Sequence, residues 1–160
     1  MTAEIIRDHT ILQTTIANLR KTGKKVIFAN GCFDILHVGH IRYLQEAKTL
    51  GDVLVVAVNS DASMRAIKGE GHPYIPEDER LEILAALRCI DYLTLFSEKT
   101  VDSLLLQLKP DVQAKGTDYT KETVPERETV ISYGGEIAIT GDKKTHSSSW
   151  IKSDLSYSKK

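Results

Sequence analysis

Residues 25–59 read KVIFANGCFDILHVGHIRYLQEAKTLGDVLVVAVN, and this stretch decides the fold. Lys25 to Asn30 (KVIFAN) is a short apolar run ending in Asn-Gly, and Asp52 to Asn59 (DVLVVAVN) is a second, nearly continuous one. Apolar runs without alternation mark strands covered on both faces, as in a parallel sheet. Between them, Ile41, Leu44, Ala47 and Leu50 recur at helical spacing over Val38 to Leu50, and Gly51 stops the helix. The order strand, helix, strand predicts a β-α-β unit.

The alternation continues in both directions. Upstream, Ile5, Leu12, Ile16 and Leu19 predict an amphipathic helix that stops at Thr22-Gly23. Downstream, a helix from near Pro76 through Arg80, Leu81, Leu84 and Leu87 leads to a strand at Tyr92 to Phe96. A helix near Val101 to Leu108, a strand at Val112 to Lys115, a helix at Glu126 to Tyr133 and a strand at Glu136 to Thr140 follow, with a closing helix from Ser149. Residues 67–76 (IKGEGHPYIP) hold two Gly and two Pro without periodicity and predict a mobile loop. The whole predicts an α/β fold: a single-domain, Rossmann-like, doubly wound parallel sheet. Its expected parts are an N-terminal helix (1–23), the core that carries the site (24–153) and a polar tail (154–160).

Bulk composition narrows the function. With 160 residues, 41% of them hydrophobic, the chain is long enough for one well-buried core and short for two. A formal net charge of -1 gives no overall attraction for nucleic acid or an anionic membrane, so a polyanion must be met by a local site. Cys32 and Cys89 are too few for a disulfide framework and fit a reducing cytosol. The opening residues lack a signal-peptide pattern and no apolar run approaches membrane-spanning length, so a cytoplasmic protein is expected.

Ligands of such a sheet bind beyond the carboxyl ends of its strands, which singles out the loop after KVIFAN. Gly31 lets the backbone turn sharply, and His37 and His40 sit three residues apart at the start of the next helix, with Gly39 leaving that start uncrowded. Two imidazole donors, helix-start amides and the positive end of the helix dipole then converge on one anionic group, which a phosphate fits. An isolated His-x-x-His pair reads more simply as two surface or core histidines. A zinc site through Cys32, His37 and His40 lacks an obvious fourth ligand and paired-cysteine spacing. The dinucleotide fingerprint is absent, which disfavours NAD.

Asn30-Gly31-Cys32-Phe33-Asp34 followed by His37-Val38-Gly39-His40 resembles the signature of the cytidylyltransferase-like nucleotidyltransferase superfamily. The segments VNSDAS (58–63), Lys68-Gly69, Pro76 to Arg80, AKGTDY (114–119) and YGGE (133–136) extend the likeness, and together they resemble heptose 1-phosphate adenylyltransferases. Such a domain occurs alone or behind a heptose kinase, and no kinase half is expected here.

The resemblance implies that His37 and His40 contact the nucleotide phosphates and stabilise the transition state at the α-phosphate. It implies that Asn30, Gly31, Cys32 and Phe33 line the nucleotide, while Asp34 is either a loop brace or a contact. Lys68, in the Gly-rich loop, matches a mobile cation that closes over the triphosphate, and Arg80 matches an arginine near the β- and γ-phosphates. Lys115, Gly116 and Asp118 fall where the family contacts nucleotide and sugar phosphate. Ser147, Ser148 and Ser149 resemble a Ser-Thr-Thr motif that holds phosphate oxygens, and they also suit N-caps. Asn59, Ser60 and Asp61 could meet sugar hydroxyls, although Ser60 or Asp61 could equally cap the next helix.

Three positions depart from the family pattern: Thr117 for a glycine, His72 for an arginine, and Lys144-Thr145-His146 for the usual lead into the serine motif. The expected substrates are ATP, with Mg²⁺ as its complex, and a heptose 1-phosphate for surface-heptose or lipopolysaccharide precursors. A homodimer or other homo-oligomer is expected, with no nucleic-acid or membrane partner. The alternatives are a glycerol 3-phosphate cytidylyltransferase and, in another class, a non-catalytic nucleotide-sensing domain.

Overall fold

In the computed structural model, which describes residues 2–143 together with Ile151, Ser153 and Leu155, the chain opens with a two-residue strand, β1 (Glu4–Ile5). Ile5 pairs with Leu93, so this segment is part of the sheet and not the first turn of the helix that its apolar spacing predicts. The helix starts later for a local reason. Asp8 is in an extended conformation and its carboxylate accepts from Thr10 N and Ile11 N, which caps α1 (His9–Lys21).

From there come β2 (Val26–Gly31), α2 (Val38–Thr49), β3 (Val53–Asn59), then α3 (Asp61–Lys68), a short helix absent from the expected order, and α4 (Glu77–Ala85). The second half runs β4 (Tyr92–Phe96), α5 (Asp102–Leu108), β5 (Val112–Lys115), α6 (Arg127–Ser132) and β6 (Glu136–Ile139). All strand pairs are parallel, in the order β1-β4-β3-β2-β5-β6. The chain therefore winds from β2 outward through β3 and β4, then crosses back to lay β5 and β6 on the other side of β2. The switch point lies between β2 and β5.

The strands read as continuous apolar runs because both faces are covered. Along β2, Val26 and Phe28 face α1, α5 and α6 in a cluster with Leu12, Ile16, Leu105 and Val130. The alternate residues Ile27 and Ala29 face α2 and α4, with Leu44, Ala47, Leu81 and Leu84. All seven residues of β3 are buried. Each fully buried Leu, Ile or Phe in these two layers contributes about 1.5–3 kcal/mol relative to an exposed one.

Residues 67–76 are shorter as a loop than expected. α3 carries Ile67 and Lys68 as its last residues, and Gly69, at φ 89, ends it with its N–H on Arg65 O. Only a residue without a Cβ takes that conformation without strain. Ile151, Ser153 and Leu155 are helical, whereas Ser147, Ser148, Ser149 and Lys144 to His146 lie outside the described residues.

Candidate active site

At the switch point the carboxyl ends of β2, β3, β5 and β6 surround a cavity of about 430 Å³. Of the residues expected there, Asn30, Gly31, Cys32, Phe33, His37, His40, Asn59, Lys68, Lys115, Gly116 and Asp118 line it. The loop from β2 to α2 forms its centre. Phe33 adopts φ 49, in the left-handed region, and its ring lies 3.1 Å from where a Cβ on Gly31 would stand. A bulky residue in that conformation costs on the order of 1–3 kcal/mol. The strained turn packs Phe33 edge-on against His40, with ring centroids 5.2 Å apart.

Each histidine is held by its own helix start. His37 is the N-cap of α2, and its Nδ1 accepts from Gly39 N at 3.2 Å. His40 Nδ1 accepts from His37 N at 3.3 Å, completing a reciprocal capping box built from imidazoles. The rings stack with centroids 3.9 Å apart. A nitrogen that accepts a backbone N–H carries no proton, so in the neutral rings the proton sits on both Nε2 atoms. Local backbone geometry thereby sets two neighbouring donors at the positive end of a three-turn helix.

Asp34, which also lines the cavity, braces the loop. Its side chain, 1% exposed, accepts from Tyr74 N at 2.9 Å and Ile75 N at 3.0 Å, and His72 Nδ1 lies 3.8 Å from its other oxygen. This ties the segment after α3 to the histidine loop. Asp34→Ala should strip both amides of their acceptor at a cost of about 1–3 kcal/mol. Hydrogen exchange of the Tyr74 and Ile75 amides is the measurement, and unchanged protection would refute the brace.

Arg80, expected near the β- and γ-phosphates, spends its guanidinium on the protein's own backbone. It is 1% exposed and does not line the cavity. Its guanidinium donates to Cys32 O at 2.6 Å, Asn59 O at 2.8 Å and Ile75 O at 2.9 Å, and pairs with Asp61 at 2.8 Å. It therefore knots the ends of β2 and β3 to the start of α4 from beneath the pocket. Asp61 is committed to this knot and does not line the cavity, while Ser60 caps α3 through Ser63 N. Asn59 spends its amide on Ser63 Oγ at 3.0 Å and on the Cys32 thiol.

The two pocket lysines differ. Lys68 is exposed at the end of α3, on a helix and not in the loop as expected. Lys115 is buried at the end of β5. Thr117, in place of a glycine, donates to Asp142 O at 2.7 Å and ties the loop after β5 to the end of β6.

Sequence reasoning missed Arg42, Tyr43, Thr140, Gly141, Asp142 and Lys143, which also line the cavity. Tyr43 stands one turn beyond His40 on the same helix face, and Gly141 follows a strand end, so helical spacing and the strand-end rule were the available signals. Burial pushes the Tyr43 hydroxyl well above its ordinary range, keeping it a neutral donor to Ala114 O at 2.8 Å.

A parallel sheet with this switch point, and paired imidazoles at the helix start beside it, defines the class. Residues 28–153 match the cytidylyltransferase-like family, and the chain belongs to that family. It is 52% identical over 134 residues to the bifunctional protein HldE of Pelobacter propionicus, a match covering 84% of this chain and 28% of that protein. It is 57% identical over 117 residues to the bifunctional protein HldE of Geobacter metallireducens, covering 73% of this chain and 24% of that protein. The chain thus spans about a quarter of the length of these curated relatives. The crystal structure of the lipopolysaccharide core biosynthesis protein from Thermoplasma volcanium is similar at TM-score 0.65 and 32% identity, over 76% of this chain and 100% of that one. Pantoate-beta-alanine ligase from Francisella tularensis shares the fold alone, at TM-score 0.63 and 18% identity, over 89% of this chain and 68% of that one.

Proposed function

We propose that the chain transfers AMP from ATP to D-glycero-β-D-manno-heptose 1-phosphate, giving ADP-heptose and pyrophosphate for surface-heptose or lipopolysaccharide precursors. The observation that carries the reading is the pair of backbone-fixed imidazoles at the start of α2, inside the switch-point cavity. A phosphate oxygen of the sugar attacks the α-phosphorus, and the bond to the bridging oxygen breaks, so that pyrophosphate leaves with the electron pair. The attacking oxygen is already anionic and needs no general base. Position and neutralisation of developing charge must supply the rate, which is what preorganised donors do.

His37 and His40 would face the α-phosphate, and Lys68 would meet the triphosphate from the cavity rim. Ser147, Ser148 and Ser149 complete the proposed phosphate contacts, together with backbone groups of Gly31, Cys32, Phe33 and Gly116. Mg²⁺ would arrive on ATP and supply further charge neutralisation, and the carboxylate of Asp118 in the pocket is an oxygen donor suited to it. The relatives named HldE and the lipopolysaccharide core biosynthesis protein support the heptose acceptor. The net charge of -1 supports small-molecule substrates over nucleic acid. A cytoplasmic homo-oligomer is part of the proposal, and no helix among the described residues is long and apolar enough to cross a membrane.

Pyrophosphate release, measured with Mg²⁺ across four nucleoside triphosphates and a panel of sugar phosphates, tests this function. ATP with heptose 1-phosphate should give the highest kcat/KM. A preference for CTP with glycerol 3-phosphate would replace the heptose reading, and binding without turnover of any pair would make the chain a nucleotide sensor.

A further inference from the structure

Lys115 is 7% exposed and Glu126, immediately before α6, is 6% exposed. Both carboxylate oxygens of Glu126 lie close to Lys115 Nζ, at 3.2 and 3.3 Å. Burying such a pair gains little stability, because the cost of desolvating two charges offsets their attraction and well-packed apolar residues do as well or better. The pair does, however, reach a residue of the cavity wall. Lys115 Nζ donates to Asn30 Oδ1 at 3.4 Å, and Gln113 Nε2 donates to the same oxygen at 3.3 Å. An ammonium group can only donate, so it fixes which end of the Asn30 amide faces β5.

We propose that Glu126 and Lys115 are positioning residues whose task is to hold the Asn30 amide with its oxygen toward β5 and its N–H groups toward the anionic ligand of the cavity. Asn30 lines that cavity together with His37 and His40. With the amide reversed, oxygen lone pairs would oppose a phosphate in the position where donors are needed. Glu126 keeps the buried ammonium compensated, and the Tyr119 ring, 5.2 Å from Nζ, packs over it. Lys115 thereby acts on the ligand through Asn30. The proposal rests on the reading of the cavity as a site for ATP.

The test is the paired variant Lys115→Met/Glu126→Met. A merely structural pair would be replaced without loss. The positioning role requires the thermal midpoint to hold while the dissociation constant for ATP, measured by calorimetry without any sugar phosphate, rises about tenfold. Wild-type ATP affinity in a folded paired variant overturns the proposal. Asn30→Ala should weaken ATP binding in the wild-type protein and add little in the paired variant, and independent, additive losses overturn the link to Asn30.

If the paired variant does not fold, Asn30→Asp decides. It keeps an oxygen toward Lys115 and turns a second one to the ligand, so it should weaken ATP binding more than Asn30→Ala does. An equal or smaller loss refutes the orientation. In the unliganded wild type, NMR relaxation of the Asn30 side-chain amide nitrogen should report a fixed side chain. Relaxation like that of a freely rotating exposed asparagine overturns the proposal whatever the protein binds, which separates its failure from that of the proposed function.

Discussion

Replacing His40 by alanine is expected to lower kcat by about 10²- to 10³-fold with a smaller change in ATP binding. The size follows from how the ring is held. Its Nδ1 accepts from the backbone of His37, its face stacks on His37, and Phe33 packs against it edge-on. The Nε2 donor is thus fixed before substrate arrives and costs no ordering at the moment of reaction. Loss of such a donor falls on the transition state more than on the ground state. Steady-state kinetics with the best nucleotide and sugar phosphate give the measurement. A His40→Ala protein with near-normal kcat would remove the reacting phosphate from the start of α2.

The second large effect is on folding. Arg80→Ala should destabilise the protein by about 3–5 kcal/mol, the range found when one partner of a buried charged network is removed. The substitution leaves the carbonyls of Cys32, Asn59 and Ile75 short of a donor and Asp61 without its counter-charge. Arg80→Lys should recover only part of the loss, because one ammonium cannot reproduce a planar fork that reaches three carbonyls and a carboxylate. Urea denaturation measures both. A loss under about 1 kcal/mol for Arg80→Ala would show that the knot beneath the pocket is not needed to hold it together.

Much of this arrangement was legible from residues alone, for definite reasons. KVIFAN and DVLVVAVN are unbroken apolar runs because helices cover both sides of β2 and β3, and a strand with one wet face would have alternated. The histidine loop was legible because it follows a strand and opens a helix, a place where sheet and helix ends point at the same ligand. β1 was not, since two residues are too few for any period and Ile5 happens to match the spacing of the helix behind it. Arg80 was read through the resemblance as an arginine near the β- and γ-phosphates, because sequence carries no sign that three carbonyls from separate segments converge on it. Glu126 was no more than the first residue of an expected helix for the same reason. Lys68 was assigned to the loop because Gly69 and Gly71 dominate the composition there, whereas the helix runs up to the first of them.

The short strand β1 has a consequence for how the protein behaves in a crowded solution. β4 would otherwise be the outer strand of the sheet, presenting unpaired carbonyls to any extended chain nearby, which is how sheets stick to one another. Glu4 N takes Asp91 O at 2.9 Å and Ile6 N takes Leu93 O at 2.8 Å. The next outward carbonyl, Leu95 O, receives the His9 ring nitrogen at 2.7 Å. Three successive acceptors are thus capped by two backbone amides and one side chain. The strand that replaces β4 at the border is too short to template further pairing, so this side of the sheet offers an aggregating neighbour almost nothing to grip.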